Sequence, residues 1–148
     1  MKVGVCNPLT VCQSLFSFFA IFETFYWHKT ILFERCFMKR LLIVEDCEQF
    51  RRMLVSMLKA YYDEIYECSD GKDAKAAYKK YKPDWVLMDV EMKEMDGLTA
   101  TKNIKSDFPE ARVVIMTQYR DPDIRREAKF AGAEKFILKD NILELKNL

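Results

Sequence analysis

Trp85-Val86-Leu87-Met88-Asp89, followed by Val90-Glu91-Met92-Lys93-Glu94-Met95-Asp96-Gly97, decides the fold of this chain. Four apolar residues without polar alternation read as a strand covered on both faces, and the run stops at a carboxylate. Upstream, Leu41-Leu42-Ile43-Val44 is a second such run and ends in Glu45-Asp46. Downstream, Val113-Val114-Ile115-Met116 ends in Thr117, and Phe136-Ile137-Leu138 ends in Lys139. Open α/β sheets place their chemistry at the carboxyl ends of their strands. Four strands thus deliver three acids, a hydroxyl and an ammonium to one sheet edge.

Between these runs the periodicity changes. Glu48–Tyr61 places Phe50, Leu54, Met57, Leu58 and Tyr61 at helical spacing. Ile65–Cys68 is a further strand, and Ser69-Asp70-Gly71 is a turn able to start a helix. That helix, over 72–81, has Ala74, Ala77, Tyr78 and Tyr81 on one face. Lys82-Pro83-Asp84 stops it, because proline disfavours helical geometry in the residue before it. Asp96-Gly97 opens a helix bearing Leu98, Thr101, Ile104 and Phe108, closed by Pro109. Strand four is Arg112–Thr117. Asp121-Pro122 is an N-cap with proline at the first helical position. Ile124 and Ala128 face inward, and Ala131-Gly132-Ala133 ends that helix. Lys135–Lys139 is the fifth strand, and Ile142–Leu148 is a final helix of about two turns, marginal without tertiary packing. The alternation predicts an α/β fold: a doubly wound, five-stranded parallel sheet with helices on both faces.

The 148 residues suffice for one domain with some excess. With 24 Lys+Arg against 23 Asp+Glu, the net charge is +1, which argues against nucleic-acid binding and against an acidic disordered chain. The five cysteines form no CxxC and the only histidine is His28. A zinc site is therefore not expected; reduced thiols in a cytoplasmic protein are.

Residues 1–37 differ from the rest. They hold seven of the 11 Phe, with Tyr26 and Trp27, while 38–148 read as the working domain. Val3–Phe22 is uncharged and about long enough to span a bilayer, but Asn7, Pro8, Gln13 and two serines interrupt it. No small-residue cleavage site follows the apolar stretch. Met38-Lys39-Arg40, directly before the first strand, reads like a start of translation. Three readings of 1–37 stay open: sequence outside the working domain, a membrane-associating segment, or an extra helix packed on the domain.

The strand-end set has a defined chemistry. Asp89 is a carboxylate able to attack phosphorus and form an acyl phosphate. Two anions approach only with a cation between them, and Glu45 and Asp46 supply the charge to hold Mg²⁺ beside Asp89. Lys139 can neutralise a phosphoryl oxygen as a point charge, and Thr117 can donate a hydrogen bond to another.

In Ile43-Val44-Glu45-Asp46, Val86-Leu87-Met88-Asp89, Met92 with Met95-Asp96-Gly97, Val114-Ile115-Met116-Thr117 and Phe136-Ile137-Leu138-Lys139, the chain closely resembles the receiver domain of two-component response regulators. The resemblance spans 38–148. It implies a flavodoxin-like strand order 2-1-3-4-5. It further implies that Asp89 is the phosphoacceptor, charged by a partner histidine kinase or phosphotransfer protein. By the same resemblance Asp46 binds Mg²⁺ directly, Glu45 binds it through water, and the Glu91 backbone carbonyl is a third protein ligand. Thr117 and Phe136 match the family's switch pair, whose movement remodels the surface of helix 4, strand 5 and helix 5 toward a downstream effector.

This sequence departs from the family's pattern in places. Glu45 replaces the commoner first Asp, and Lys93 replaces a usual proline beside the Asp89 loop. Gln118 stands where a small residue is common and, with Glu91, is placed to crowd an attacking water. Lys139-Asp140 in place of Lys-Pro resembles regulators whose receiver precedes a helix-turn-helix DNA-binding domain; the expectation is a stand-alone receiver with a minimal last helix or one shortened at its C-terminus.

Simpler roles stand beside these. Glu45-Asp46 could cap the helix that starts near Glu48, Thr117 could be only a β-former, and Lys139 only a solvated strand end. Met88, Met92, Met95 and Met116 read as packing rather than sulfur ligands. The expected function is a phosphorylation switch, not an enzyme with an external substrate. A Mg²⁺-dependent aspartyl phosphatase of the haloacid dehalogenase type would carry Asp-x-Asp after its first strand, whereas the candidate here follows the third and reads Asp89-Val90-Glu91. A flavin module would need a Ser/Thr/Gly-rich loop where Glu45-Asp46-Cys47-Glu48 stand, and a degenerate receiver acting only as an interaction module would lack a complete site.

Overall fold

A computed structural model describes residues 38–148. The readings of 1–37, including membrane association, fall outside the described residues. The order is β1 (Arg40–Val44), α1 (Glu48–Leu58), β2 (Glu64–Cys68), α2 (Gly71–Tyr81), β3 (Trp85–Asp89), α3 (Gly97–Asp107), β4 (Val113–Thr117), α4 (Pro122–Phe130) and β5 (Lys135–Leu138), then a 3-10 segment (Lys139–Asn147). The strands form one sheet in the order β2-β1-β3-β4-β5, and every neighbouring pair is parallel.

Strand periodicity sorts the core into two layers. Leu42, Val44, Val86, Met88, Val113 and Ile115 face Ala74 and Tyr78 of α2, Ile104 of α3 and Ala128 of α4. Leu41, Ile43, Leu87, Val114 and Met116 face Leu54 and Leu58 of α1 and Leu145 of the closing segment. The sheet is thus covered on both sides, which is why β1, β3 and β4 are apolar at consecutive positions rather than alternate ones. Leu54, Leu58 and Leu145 are fully buried, each contributing about 2 kcal/mol of transfer free energy.

Helix starts follow the aspartates. Asp70 accepts from the Lys72 amide, Asp96 from Thr99 and Asp121 from Asp123, each as N-cap of the helix that follows. At the other end of α2, Lys82 adopts φ +47°, a left-handed cap before Pro83, and its amide donates to the Tyr78 carbonyl.

Two boundaries differ from the sequence reading by more than one residue. The first helix ends at Leu58, and a turn closed by Tyr61 N–H to the Leu58 carbonyl brings Tyr62, not Tyr61, into the core. The last element begins at Lys139, directly off β5, as a 3-10 segment rather than an α-helix over 142–148, and Asn141 (φ −109°, ψ 27°) interrupts it. Packing of Leu145 holds this short piece in place, since so few turns could not persist alone. No described helix is long and apolar enough to cross a membrane.

Candidate functional site

The parallel register brings the carboxyl ends of β1, β3, β4 and β5 to one edge. Val44 pairs with Met88, Asp89 with Met116, and Thr117 with Leu138, so Glu45, Asp89, Thr117 and Lys139 emerge side by side. With Asp46, Glu91 and Gln118 they line a cleft of about 570 Å³. Glu45, Asp89 and Thr117 are buried at 1%, 4% and 1% exposure, and Asp46 is half-buried.

Carboxylate oxygens of Glu45, Asp46 and Asp89 all lie within 4.8 Å of one another. Burial first, and the Glu45 charge second, push the Asp89 carboxyl up to about 6, against the pull of Lys139 and the Val90 amide. Lys139 Nζ stands 2.8 Å from Glu45 Oε2 and 3.0 Å from Asp89 Oδ2. Burial disfavours that ammonium, but its contacts with Glu45 and Asp89 outweigh the cost and raise its pKa. The Phe50 ring, 4.7 Å from Nζ, supports the same position from α1.

Glu45 carries the test for a cation. Its Oε1 accepts the Cys47 amide at 3.3 Å, and its Oε2 is buried with the Lys139 ammonium, 2.8 Å away, as its close partner. A buried carboxylate oxygen facing two further carboxylates fits a hard divalent cation. Three acids facing a single ammonium leave the cluster net negative, and an oxygen-only donor set suits Mg²⁺.

The other residues singled out from the sequence lie as follows. Thr117 Oγ1 accepts the Tyr119 amide at 3.2 Å, so its O–H proton is free to point elsewhere. Glu91 and Gln118 meet across the cleft mouth, Gln118 Nε2 donating to Glu91 Oε2 at 3.3 Å and to the Tyr119 hydroxyl at 3.2 Å. Phe136 is not in the acid cleft. It pairs in register with Ile115, is half-buried under Arg125, and lines the groove between α4 and β5. Capping of α1 by the acid pair does not occur, because Cys47 holds the N-cap position without a side-chain bond.

Three residues have roles at the site that the sequence did not disclose, although Asp70 and Gly97 were read there as parts of helix starts. Arg51 donates from its guanidinium to the Glu45 carbonyl at 2.6 Å and pairs with Glu67 at 3.0 Å, fixing the turn after β1. Its only signal was its place in the Arg51-Arg52 pair on the helix after the acid pair. Gly97 lies so close to β3 that a Cβ there would overlap the Asp89 carbonyl, a constraint no spacing discloses. Asp70 binds the loop after Asp89 as well as capping α2.

A doubly wound parallel sheet with an acid cluster and an opposed lysine at its carboxyl edge places the cleft where open α/β folds carry their ligand sites. The chain belongs to the response regulator receiver domain family, whose model matches residues 41–147. It is 39% identical over 102 residues to the chemotaxis protein CheY of Thermotoga maritima, covering 68% of this chain and 85% of that one. It is 37% identical over 113 residues to CheY of Bacillus subtilis, covering 73% and 94%. The crystal structure of Vibrio cholerae chemotaxis protein CheY4 superposes with a TM-score of 0.68 at 26% identity, covering 74% of this chain and 97% of that chain.

Proposed function

We propose that this chain is a phosphorylation switch that accepts a phosphoryl group on Asp89 from a histidine kinase or phosphotransfer protein and passes the signal to a downstream effector. The observation that carries the reading is the buried Asp89 carboxylate, flanked by two further acids and held 3.0 Å from Lys139. An Asp89 oxygen attacks phosphorus. The O–P bond forms as the P–N bond of the donor phosphohistidine breaks, and the electron pair leaves with the imidazole, which takes up a proton. Glu45, Asp46, Asp89 and the Glu91 backbone carbonyl would hold Mg²⁺, which when bound offsets the charge between carboxylate and phosphoryl group.

The other residues position and read the product. Lys139, already in contact with Asp89, stabilises one phosphoryl oxygen, and the free O–H of Thr117 donates to another. Turning Thr117 toward the phosphoryl group gives up its bond to the Tyr119 amide, which loosens the segment leading into α4. Phe136, on β5 beside β4 and under Arg125 of α4, follows that change and reshapes the face of α4, β5 and the closing segment. The protein turns over no substrate beyond its own phosphoryl group, and it acts in the cytoplasm.

Incubation with acetyl phosphate and Mg²⁺, followed by intact-mass measurement, tests this reading. One added phosphoryl group on the wild type and none on Asp89→Asn is the expected result. Steady phosphate release from unrelated phosphoesters would make the chain a phosphatase instead.

A further inference from the structure

Val90–Asp96 joins Asp89 to α3 and carries Glu91. Two fastenings hold it. On the Asp89 side, the Gly97 amide donates to the Val90 carbonyl at 2.9 Å and closes the loop on itself. On the other side lies the first turn of α2. The Asp70 side chain there is only 5% exposed and accepts three backbone N–H groups. Oδ1 takes Lys72 at 3.0 Å and Met95 at 3.2 Å, and Oδ2 takes Glu94 at 2.9 Å.

A helix cap requires only the first of these bonds. The other two reach into the loop after the phosphoacceptor. Gly71 supports the same junction independently: a Cβ there would stand 2.5 Å from the Met95 carbonyl, so the loop backbone rests directly on α2. The Lys72–Glu94 ion pair extends the contact at the surface. Lys93 occupies the middle of this loop, where no proline ring restrains the backbone.

We propose that Asp70 is a positioning residue: by holding the Glu94 and Met95 amides it fixes the loop that presents the Glu91 carbonyl, and so sets Mg²⁺ affinity. The inference rests on the metal-site reading given above. Groups that orient metal ligands without touching the metal commonly govern affinity in this way.

Three variants of the full chain separate this role from plain helix capping. Asp70→Ser keeps an oxygen able to cap Lys72 but lacks the second one and the reach to the loop. Asp70→Asn keeps Oδ1 for Lys72 and Met95. Asp121→Ala removes a helix cap of the same kind from α4, away from the loop. Calorimetric Mg²⁺ titration is read beside metal-free thermal unfolding and amide hydrogen exchange.

Asp70→Ser is expected to weaken Mg²⁺ binding about 10-fold and to speed exchange at Glu94 and Met95. Asp70→Asn should recover most of the affinity, and Asp121→Ala should bind like the wild type. A folded Asp70→Ser protein with wild-type affinity overturns the proposal. So does equal weakening in Asp121→Ala, which would tie affinity to stability alone. Should Asp70→Ser fail to fold, Asp70→Asn decides: a modest loss of affinity supports the role, and none overturns it. Absence of Mg²⁺ binding by the wild type overturns the metal-site reading, and this one with it.

Discussion

Lys139 Nζ stands 3.0 Å from Asp89 Oδ2, although β4 lies between β3, which carries Asp89, and β5, which Lys139 follows. The contact is possible because β5 ends at Leu138, so Lys139 is the first residue free to lean back across the sheet edge. The Phe50 ring holds the ammonium from the α1 side.

Removing that cation tests its part in phosphoryl transfer. Lys139→Met should slow phosphorylation by acetyl phosphate about 100-fold, the loss typical of one charged donor to a developing oxyanion. It should also raise the Asp89 pKa further, since Lys139 opposes the effects of burial and Glu45. Time-resolved intact-mass measurement gives the rate, and an unchanged rate would remove Lys139 from the mechanism.

The Asp89 carboxyl, about 6 in the fold against an ordinary 3.8, sets a pH dependence. Between those values the folded protein holds a proton that the unfolded chain has released. This group's contribution to metal-free stability therefore grows as pH falls through about 6 and is lost as pH rises through it. Asp89→Asn, which removes the repulsion from Glu45, should stabilise the metal-free protein near neutral pH by about 1 kcal/mol. Mg²⁺ must displace the same proton, so it should raise the unfolding temperature more at pH near 8 than near 5. Equal Mg²⁺ stabilisation at both would contradict the assignment.

The Glu91–Gln118 contact spans the cleft mouth where water would approach phosphorylated Asp89. Glu91→Ala and Gln118→Ala should each speed loss of the phosphoryl group about 5-fold, or about 1 kcal/mol of barrier. Decay of the phosphorylated mass after removal of the donor reads this directly. Unchanged decay in both variants would discard the idea.

Lys82 is the one described non-glycine residue with positive φ. Lys82→Gly removes the Cβ clash of the left-handed cap, at some cost in unfolded-state entropy, and should add about 0.5–1 kcal/mol. Urea unfolding checks it, and phosphorylation should not change.

Much of this site was legible because parallel strands covered on both faces must be apolar throughout, so a polar residue ending each run marks the sheet edge. Asp89, Thr117 and Lys139 stood out for that reason, and the aspartates at 70, 96 and 121 marked helix starts by their need to cap. Contacts depending on how close two backbones approach were not legible. Nothing in Asp70-Gly71 distinguishes an ordinary cap from one that also grips a loop 24 residues on. The end of α1 was misplaced because Tyr61 and Tyr62 both suit a helical pattern, and only the turn after Leu58 selects the second. The closing segment read as a short helix over Ile142–Leu148, whereas it starts directly off β5 at Lys139 as a 3-10 segment kinked at Asn141.

The most direct test of the account is chemical trapping of the phosphorylated residue. Borohydride reduces an aspartyl phosphate to homoserine, so phosphorylated protein treated in this way and sequenced by mass spectrometry reveals which carboxylate was modified. The account expects homoserine at position 89, formed only when Mg²⁺ and a phosphodonor were both present. Homoserine at position 46 instead, or phosphate retained on a hydroxyl such as that of Thr117, would contradict it.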